Sequence, residues 1–226
     1  MTGLEWLVVA LAFALGGVLG GSVMGRLRGV DLRSAGSGNI GATNALRTQG
    51  KGFALAVLAI DAGKGAMAVL WLPQLVLLAR GDSPASSLAF LCGAAAVLGH
   101  CFSPWHRFNG GKGVATLAGV FLALLPVAFG WMLSGFVLTV LLTGVVSLAT
   151  LFGGLIALLH VSCFSSVGVF SVAGAFVMTM VLLVLITHRD NWRRLLTGAE
   201  SRFEKARLLG RALRLPTIGV DQSGAR

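Results

Sequence analysis

Three short polar segments interrupt an otherwise apolar chain, and their side chains are of the types that handle phosphate. The first reads Gly36-Ser37-Gly38-Asn39-Ile40-Gly41-Ala42-Thr43-Asn44-Ala45-Leu46-Arg47. Glycine turns expose backbone N–H groups to anions, and an arginine offers a two-pronged fork to phosphate. The second spans 99–116 and contains Gly110-Gly111-Lys112-Gly113, which opens directly into an apolar run. Free N–H groups and partial positive charge at that helix start, together with Lys112, make a second phosphate cradle. It is not a nucleotide-binding P-loop, because no Gly-x-x-x-x-Gly-Lys-Ser/Thr pattern ends at this lysine. The third spans 188–200, where a helix puts His188 and Asn191 on one face, with Trp192 at a membrane interface. Solvated charge fully accounts for Arg189, Arg193 and Arg194.

The elements that must position these segments are membrane helices. The 226 residues are 56% hydrophobic and 12% charged, about half the roughly 25% charge of a soluble domain. A net charge of +10 alone would suit a nucleic-acid binder. Such a protein needs a water-soluble body to display its basic face, and here the charge sits only in gaps between apolar blocks. The chain therefore reads as an all-α polytopic membrane protein, with no nucleic-acid partner. About 20 apolar residues cross a bilayer core, which places spans at Leu4 to about Gly25, Phe53 to about Ala79, and about Ser86 to Phe102. Glu5 stands where a signal peptide would carry basic residues, so a cleaved leader is not expected. Gly16-Gly17, Gly20-Gly21 and Gly25 repeat four apart and suit close helix packing. Asp61 and Lys64 share a helix face inside the second span, where a charge pair is a functional or mutually stabilising feature.

From Val114 to Thr187 there are 74 residues without Asp, Glu, Lys or Arg. Of the 18 Lys and Arg residues, five lie between Arg26 and Lys51 and nine from Arg189 onward, which marks those segments as cytoplasmic. The segment 103–113 belongs with them, and an even number of spans must then connect it to residue 188. Four helices of about 18 residues fit, with breaks expected near Gly130 to Gly135, Ser147 to Thr150 and Ser162 to Ser166, and with Pro126 kinking a helix. The result is about seven transmembrane helices, N-terminus outside and C-terminus cytoplasmic. Residues 1–200 form one seven-helix domain, and 201–226 is a basic tail, either a short amphipathic surface helix or a disordered end. If the second expected break holds, Ser147 joins the cytoplasmic polar groups. Cys92, Cys101 and Cys163 have unrelated spacings, and His100 and His106 lack acidic or Cys partners, so no disulfide framework or metal site is expected.

Taken together, the segments resemble the bacterial acyl-phosphate:glycerol-3-phosphate acyltransferase (PlsY) family. Its three cytoplasmic motifs read approximately Ser-Gly-Asn-x-Gly-Ala-Thr-Asn-x-x-Arg, Gly-His-x(several)-Phe-x-Gly-Gly-Lys-Gly-Val-Ala-Thr and His-x-x-Asn-x-x-Arg-Leu-x-x-Gly-x-Glu. They stand here at 37–47, 99–116 and 188–200, and Asp61 and Lys64 match a further Asp-x-x-Lys-Gly pattern. The sequence departs from the family at Trp105 to Arg107, where other members are expected to be less basic. The resemblance implies transfer of a fatty acyl group from acyl phosphate to the 1-hydroxyl of glycerol 3-phosphate, giving lysophosphatidic acid and phosphate. It implies a multi-pass protein of the bacterial inner membrane with its site on the cytoplasmic side, and a soluble enzyme as a possible supplier of acyl phosphate. Ser37, His188 and Asn191 are then the catalytic set, with Arg47, Thr43, Lys112, Gly110, Gly111, Gly113 and Ser147 binding substrate. Asn39, Asn44, Asp61, Lys64 and Glu200 support them.

The donor is a mixed anhydride, already activated, so no cofactor is expected. Either His188 or the substrate's own phosphate takes the hydroxyl proton, and the resemblance leans to the phosphate, which makes His188 a binder. Acyltransferases built on His-x-x-x-x-Asp are excluded, since none of the four histidines has Asp five residues on. An anion transporter predicts polar groups near the midplane of both halves. A scaffold subunit leaves the three segments unexplained.

Overall fold

The computed structural model describes residues 1–81, 83–165 and 168–221. The chain divides into two compact units, Met1–Pro126 and Val127–Arg226. Among the described residues nearly all regular structure is helical, as the composition requires of backbone placed in lipid.

In the first unit the leading apolar block is broken. Helix α1 (Gly3–Gly16) and helix α2 (Gly20–Arg28) meet at a bend of 42°. Two glycine pairs flank the break, and glycine is a poor helix former. Glu5 closes a capping box at the head of α1: its carboxylate accepts from Thr2 N at 2.8 Å and from Ala85 N at 3.2 Å. Helix α3 (Ala42–Gln49) is followed by α4 (Lys51–Leu70), and α5 (Gln74–Arg80) continues α4 into an apolar stretch of 30 residues. Helices α6 (Leu88–Cys101) and α7 (Val114–Leu124) complete the unit.

Close packing depends on missing side chains. A Cβ on Gly16 or Gly99 would overlap the backbone of the partner helix where α1 crosses α6. Gly65 and Gly119 do the same where α4 crosses α7, facing the carbonyls of Thr116 and Ala62. The expectation of glycine-mediated packing therefore holds for the first helix and extends to a second crossing.

The second unit starts one residue after Pro126. That proline occupies the first position of helix α8 (Pro126–Thr143) instead of kinking a helix. Leu125 before it is at φ −136° and ψ 59°, off the helical region that a following proline disfavours. The break expected at Gly130 to Gly135 does not occur. Gly135 is buried inside α8, where a Cβ would overlap Ile156 of helix α9 (Val146–Cys163), so this glycine serves packing. The next break falls at Gly144 and Val145, three residues ahead of the expected position. Gly144 takes φ +74°, and Ser147 enters the first turn of α9. Helix α9 ends at Cys163, as expected, although Ser166 lies outside the described residues. Helix α10 (Val172–Thr187) runs into α11 (Arg189–Leu196) through a 59° bend.

The tail is neither a lone surface helix nor, through residue 221, an unstructured end. Strand β1 (Ser201–Arg202) pairs in parallel with β2 (Val220–Asp221) around helix α12 (Leu208–Ala212).

Among the described residues four helices are long and apolar enough to cross a membrane, or up to six if each bent pair counts as one span. Helix α7 is apolar but has 11 residues, about 16 Å, roughly half a bilayer core.

Replacing Gly119 by Leu forces α7 away from the Ala62 carbonyl. The expected loss is about 3 kcal/mol of stability, the upper range for overpacking, read as a lowered thermal unfolding midpoint in detergent.

Candidate functional site

In the first unit Asn44 builds the first polar segment. It is 2% exposed, and its amide reaches four backbone groups. Asn44 Nδ2 donates to the carbonyls of Leu32 (2.9 Å), Ala35 (3.0 Å) and Asn39 (2.8 Å), while Oδ1 accepts from Ser37 N at 2.9 Å. Gly36, at φ +60°, passes so close to Asn44 Oδ1 that no Cβ fits. The loop thus wraps one buried amide and leaves Ser37 exposed at its tip, with Asn39 half-buried below. Thr43 and Arg47 are four apart on α3, hence on one face, and both are half-buried.

The second polar segment is plated onto the end of α6. Gly110 N donates to Cys101 O and Gly111 N to His100 O, each at 3.0 Å. These two amides are therefore committed within the chain, which corrects the expectation that they face a phosphate. A Cβ on Gly110 would overlap those carbonyls, and one on Gly111 would overlap the His100 ring. Gly113, at φ +78°, begins α7 against Val97 and Cys101. The glycines shape the turn, and Lys112 between them is half-buried, one residue ahead of the glycine that caps α7. Arg33 joins this loop to the first, donating to Asn109 O at 2.7 Å.

Asp61 and Lys64 lie directly behind these loops, 1% and 4% exposed. Lys64 Nζ donates to Val18 O (2.6 Å), Asp61 Oδ1 (2.9 Å) and His100 Nδ1 (2.9 Å). Asp61 Oδ1 also accepts from Gly20 N at 2.9 Å. An ammonium only donates, so His100 Nδ1 accepts and its proton sits on Nε2. Thr116 Oγ1 lies 3.1 Å from the same nitrogen. Ser103 Oγ donates to Gly17 O at 2.7 Å, and Trp105 Nε1 to Ala14 O at 2.8 Å. The carbonyls and the amide freed by the break in the first helix are thus taken up by Lys64, Asp61, Ser103 and Trp105. His106 bridges Ser103 Oγ and Ser22 Oγ at 2.9 Å each, a structural role.

In the second unit Glu200 is the hub. It is 4% exposed, and Oε1 accepts from Ser147 Oγ (2.7 Å) and Asn191 Nδ2 (2.6 Å). Oε2 accepts from Arg194 Nε at 2.7 Å, so the solvated-charge reading fails for this arginine while suiting Arg193. Burial raises the pKa of the Glu200 carboxyl, but hydrogen bonds from Ser147, Asn191 and Arg194, with the Arg194 charge, hold it below the usual 4.5. His188, 3% exposed, donates from Nδ1 to Val184 O at 2.8 Å.

Of the expected site residues, Ser37, Asn39 and Asn44 share one hydrogen-bonded cluster, and Ser147, Asn191 and Glu200 another. Ser103 and Thr116 emerge beside His100 as supports that the sequence left unassigned, and Arg194, read from the sequence as a solvated charge, joins them. Their location within the polar segments was the available signal. Nothing in residue spacing shows which of them reach across helices. Among the described residues no cluster of His, Cys, Asp and Glu could hold a metal.

Lys64→Met leaves Asp61 buried without its cation. The expected cost is about 3–5 kcal/mol, visible as a lower unfolding midpoint in detergent. Glu200, with its native pKa lowered, contributes stability that is complete above pH 4.5 and lost as pH falls through the native value. Acid unfolding curves should show this loss below pH 4.5 for the wild type and not for Glu200→Gln.

Residues 6–198 match the glycerol-3-phosphate acyltransferase family. A glycerol-3-phosphate acyltransferase of Zymomonas mobilis is 40% identical over 212 residues, covering 87% of this chain and 94% of the relative. One from Thermus thermophilus is 41% identical over 202 residues, covering 89% and 96%. Among solved structures, PlsY, an integral membrane glycerol 3-phosphate acyltransferase, is 33% identical and covers 92% of this chain and 99% of its own. Its glycerol 3-phosphate form superposes with a TM-score of 0.76, and its lysophosphatidic acid form with 0.78. The three motifs, the apolar helices and these likenesses agree: the chain belongs to the PlsY family of integral membrane glycerol-3-phosphate acyltransferases.

Proposed function

We propose that this protein moves a fatty acyl group from acyl phosphate to the 1-hydroxyl of glycerol 3-phosphate, releasing lysophosphatidic acid and phosphate. The observation that carries the reading is the 33% identical relative solved in a glycerol 3-phosphate form and a lysophosphatidic acid form, which covers 92% of this chain and 99% of its own. Arg47 and Lys112 neutralise substrate phosphate, and Ser37, Thr43, Ser147, His188 and Asn191 orient the reacting groups through hydroxyl, ring and amide contacts. Positioning a hydroxyl against an already activated carbonyl, and neutralising charge around it, supplies several kcal/mol of the barrier. His188 binds at the reacting centre, and the substrate's own phosphate takes the hydroxyl proton as the acyl–phosphate bond breaks.

Residues 1–200 are the acyltransferase proper, and 201–226 its tail. The distribution of Lys and Arg supports seven helices, N-terminus outside, with the polar segments on the cytoplasmic face of a bacterial inner membrane. The short α7 then crosses with a thinned or shielded end. A soluble enzyme that makes acyl phosphate is the implied supplier.

Purified protein given defined acyl phosphate and labelled glycerol 3-phosphate should form lysophosphatidic acid. Ser37→Ala and His188→Ala should each lower kcat/KM by about 100-fold or more, since each removes a group engaged at the reacting centre. Full turnover in either variant overturns that residue's assignment. No product from the wild type overturns the reaction itself.

A further inference from the structure

The family match ends at residue 198, yet the segment beyond it is built onto the carboxylate hub. Val220 N donates to Glu200 O at 2.7 Å, extending the β1–β2 pairing of Ser201 with Val220 and Arg202 with Asp221. At its other end Phe203 N donates to Gly144 O at 2.8 Å, three residues ahead of Ser147. The segment is therefore tied at both places that set the hub, the backbone of Glu200 and the start of α9.

Between these ties lies Arg207, 4% exposed. Its Nη2 donates to the carbonyls of Gly210 (3.4 Å), Leu215 and Pro216 (3.2 Å), and its Nη1 to Glu204 Oε1 at 3.4 Å. Arg202 holds the other side of the same carboxylate, with Nε to Glu204 Oε2 at 2.8 Å, and reaches Gly219 O at 2.5 Å. Two glycines make the fit tight. Gly210 lies against Leu142 O, and Gly219, at φ +80°, lies against Glu200 O, where no Cβ fits.

We propose that residues 201–221 are a strap that positions Glu200, with Arg207 as its clasp. Ser147, Asn191 and Arg194 fix the carboxylate, but Val220 and the ladder fix the backbone from which it extends. One Glu200 oxygen serves both Ser147 and Asn191 at 2.6–2.7 Å, so a backbone shift of about an ångström breaks both bonds. Arg207 is thereby a positioning residue, acting on the reaction through Glu200. The kinetic part of its test rests on the acyltransferase reading above.

The first test is a double-mutant cycle in the full chain. Arg207→Gln should lower turnover about 10-fold, and Gly219→Ala should do likewise while leaving Arg207 in place. Arg207→Lys, which keeps the charge toward Glu204 but not the fork to three carbonyls, should recover part of the loss. In a Glu200→Gln background, either strap change should cost less than about 2-fold further, because both act on one contact set. Losses that multiply, or strap variants with wild-type turnover, overturn the proposal.

The second test is hydrogen exchange read by mass spectrometry, which needs no activity. Gly219→Ala should speed exchange in peptides covering 144–150 and 188–200 and leave those covering 32–49 unchanged. Unchanged protection in the first two overturns the strap. If Arg207→Gln does not fold, Gly219→Ala decides. If the wild type makes no lysophosphatidic acid, the functional reading fails while the exchange result still judges the strap.

Discussion

A break in the first apolar helix releases backbone groups that lipid cannot satisfy, and one buried ion pair takes up two of them. Lys64 receives the Val18 carbonyl and Asp61 the Gly20 amide, while the two hold each other at 2.9 Å. Lys64 spends its third donor on His100, so the same contact reaches the end of α6, onto which the second polar loop is laid. Removing the pair would leave the Val18 carbonyl and the Gly20 amide without these partners and the loop without its tie to α4. Irregular backbone at membrane depth survives only where protein groups replace water. The glycine crossings of α1 with α6 and of α4 with α7 make that replacement geometrically possible.

The same solution recurs at each polar segment. A single buried side chain with several hydrogen-bonding positions takes the backbone or side chains of a loop and holds them in one shape. Asn44 does this with four backbone groups, and Glu200 with three side chains. Both are fully satisfied where they are buried, which is what makes a polar hub rigid instead of costly. Three of the residues assigned to substrate take their placement from these hubs. Ser37 stands at the tip of the loop that Asn44 gathers. Ser147 and Asn191 share the oxygen that Glu200 presents.

The chemistry asked of such a site is modest in covalent terms. In the proposed reaction the acyl phosphate is already activated, which leaves the protein to gather anions and align a hydroxyl, tasks suited to arginine, lysine, hydroxyls and amides. This explains why the polar inventory is rich in donors and poor in acids, and why the acids that are buried hold other residues. Asp61 and Glu200 each answer a cation and further donors, which keeps both charges paired.

The sequence by itself determined the membrane class, the three motifs, the family and the close packing carried by glycines. Each of these depends on local pattern: uninterrupted apolar runs, charges confined to gaps, and residue types at short spacing. It also announced four helices between residues 114 and 187. It misplaced the first break, because Pro126 can start a helix as readily as bend one and Gly135 packs on Ile156 without interrupting anything, and it set the second three residues late, because Gly144 with its positive φ ends the helix first. Tertiary structure alone decided that the Gly110 and Gly111 amides turn inward, that Arg194 pairs with Glu200, and that the tail folds back onto the Glu200 backbone. Hydrogen bonds that close a loop back onto a helix end or a buried carboxylate depend on where the elements come to lie. A crossing is set by the packing of whole surfaces, which no local spacing encodes.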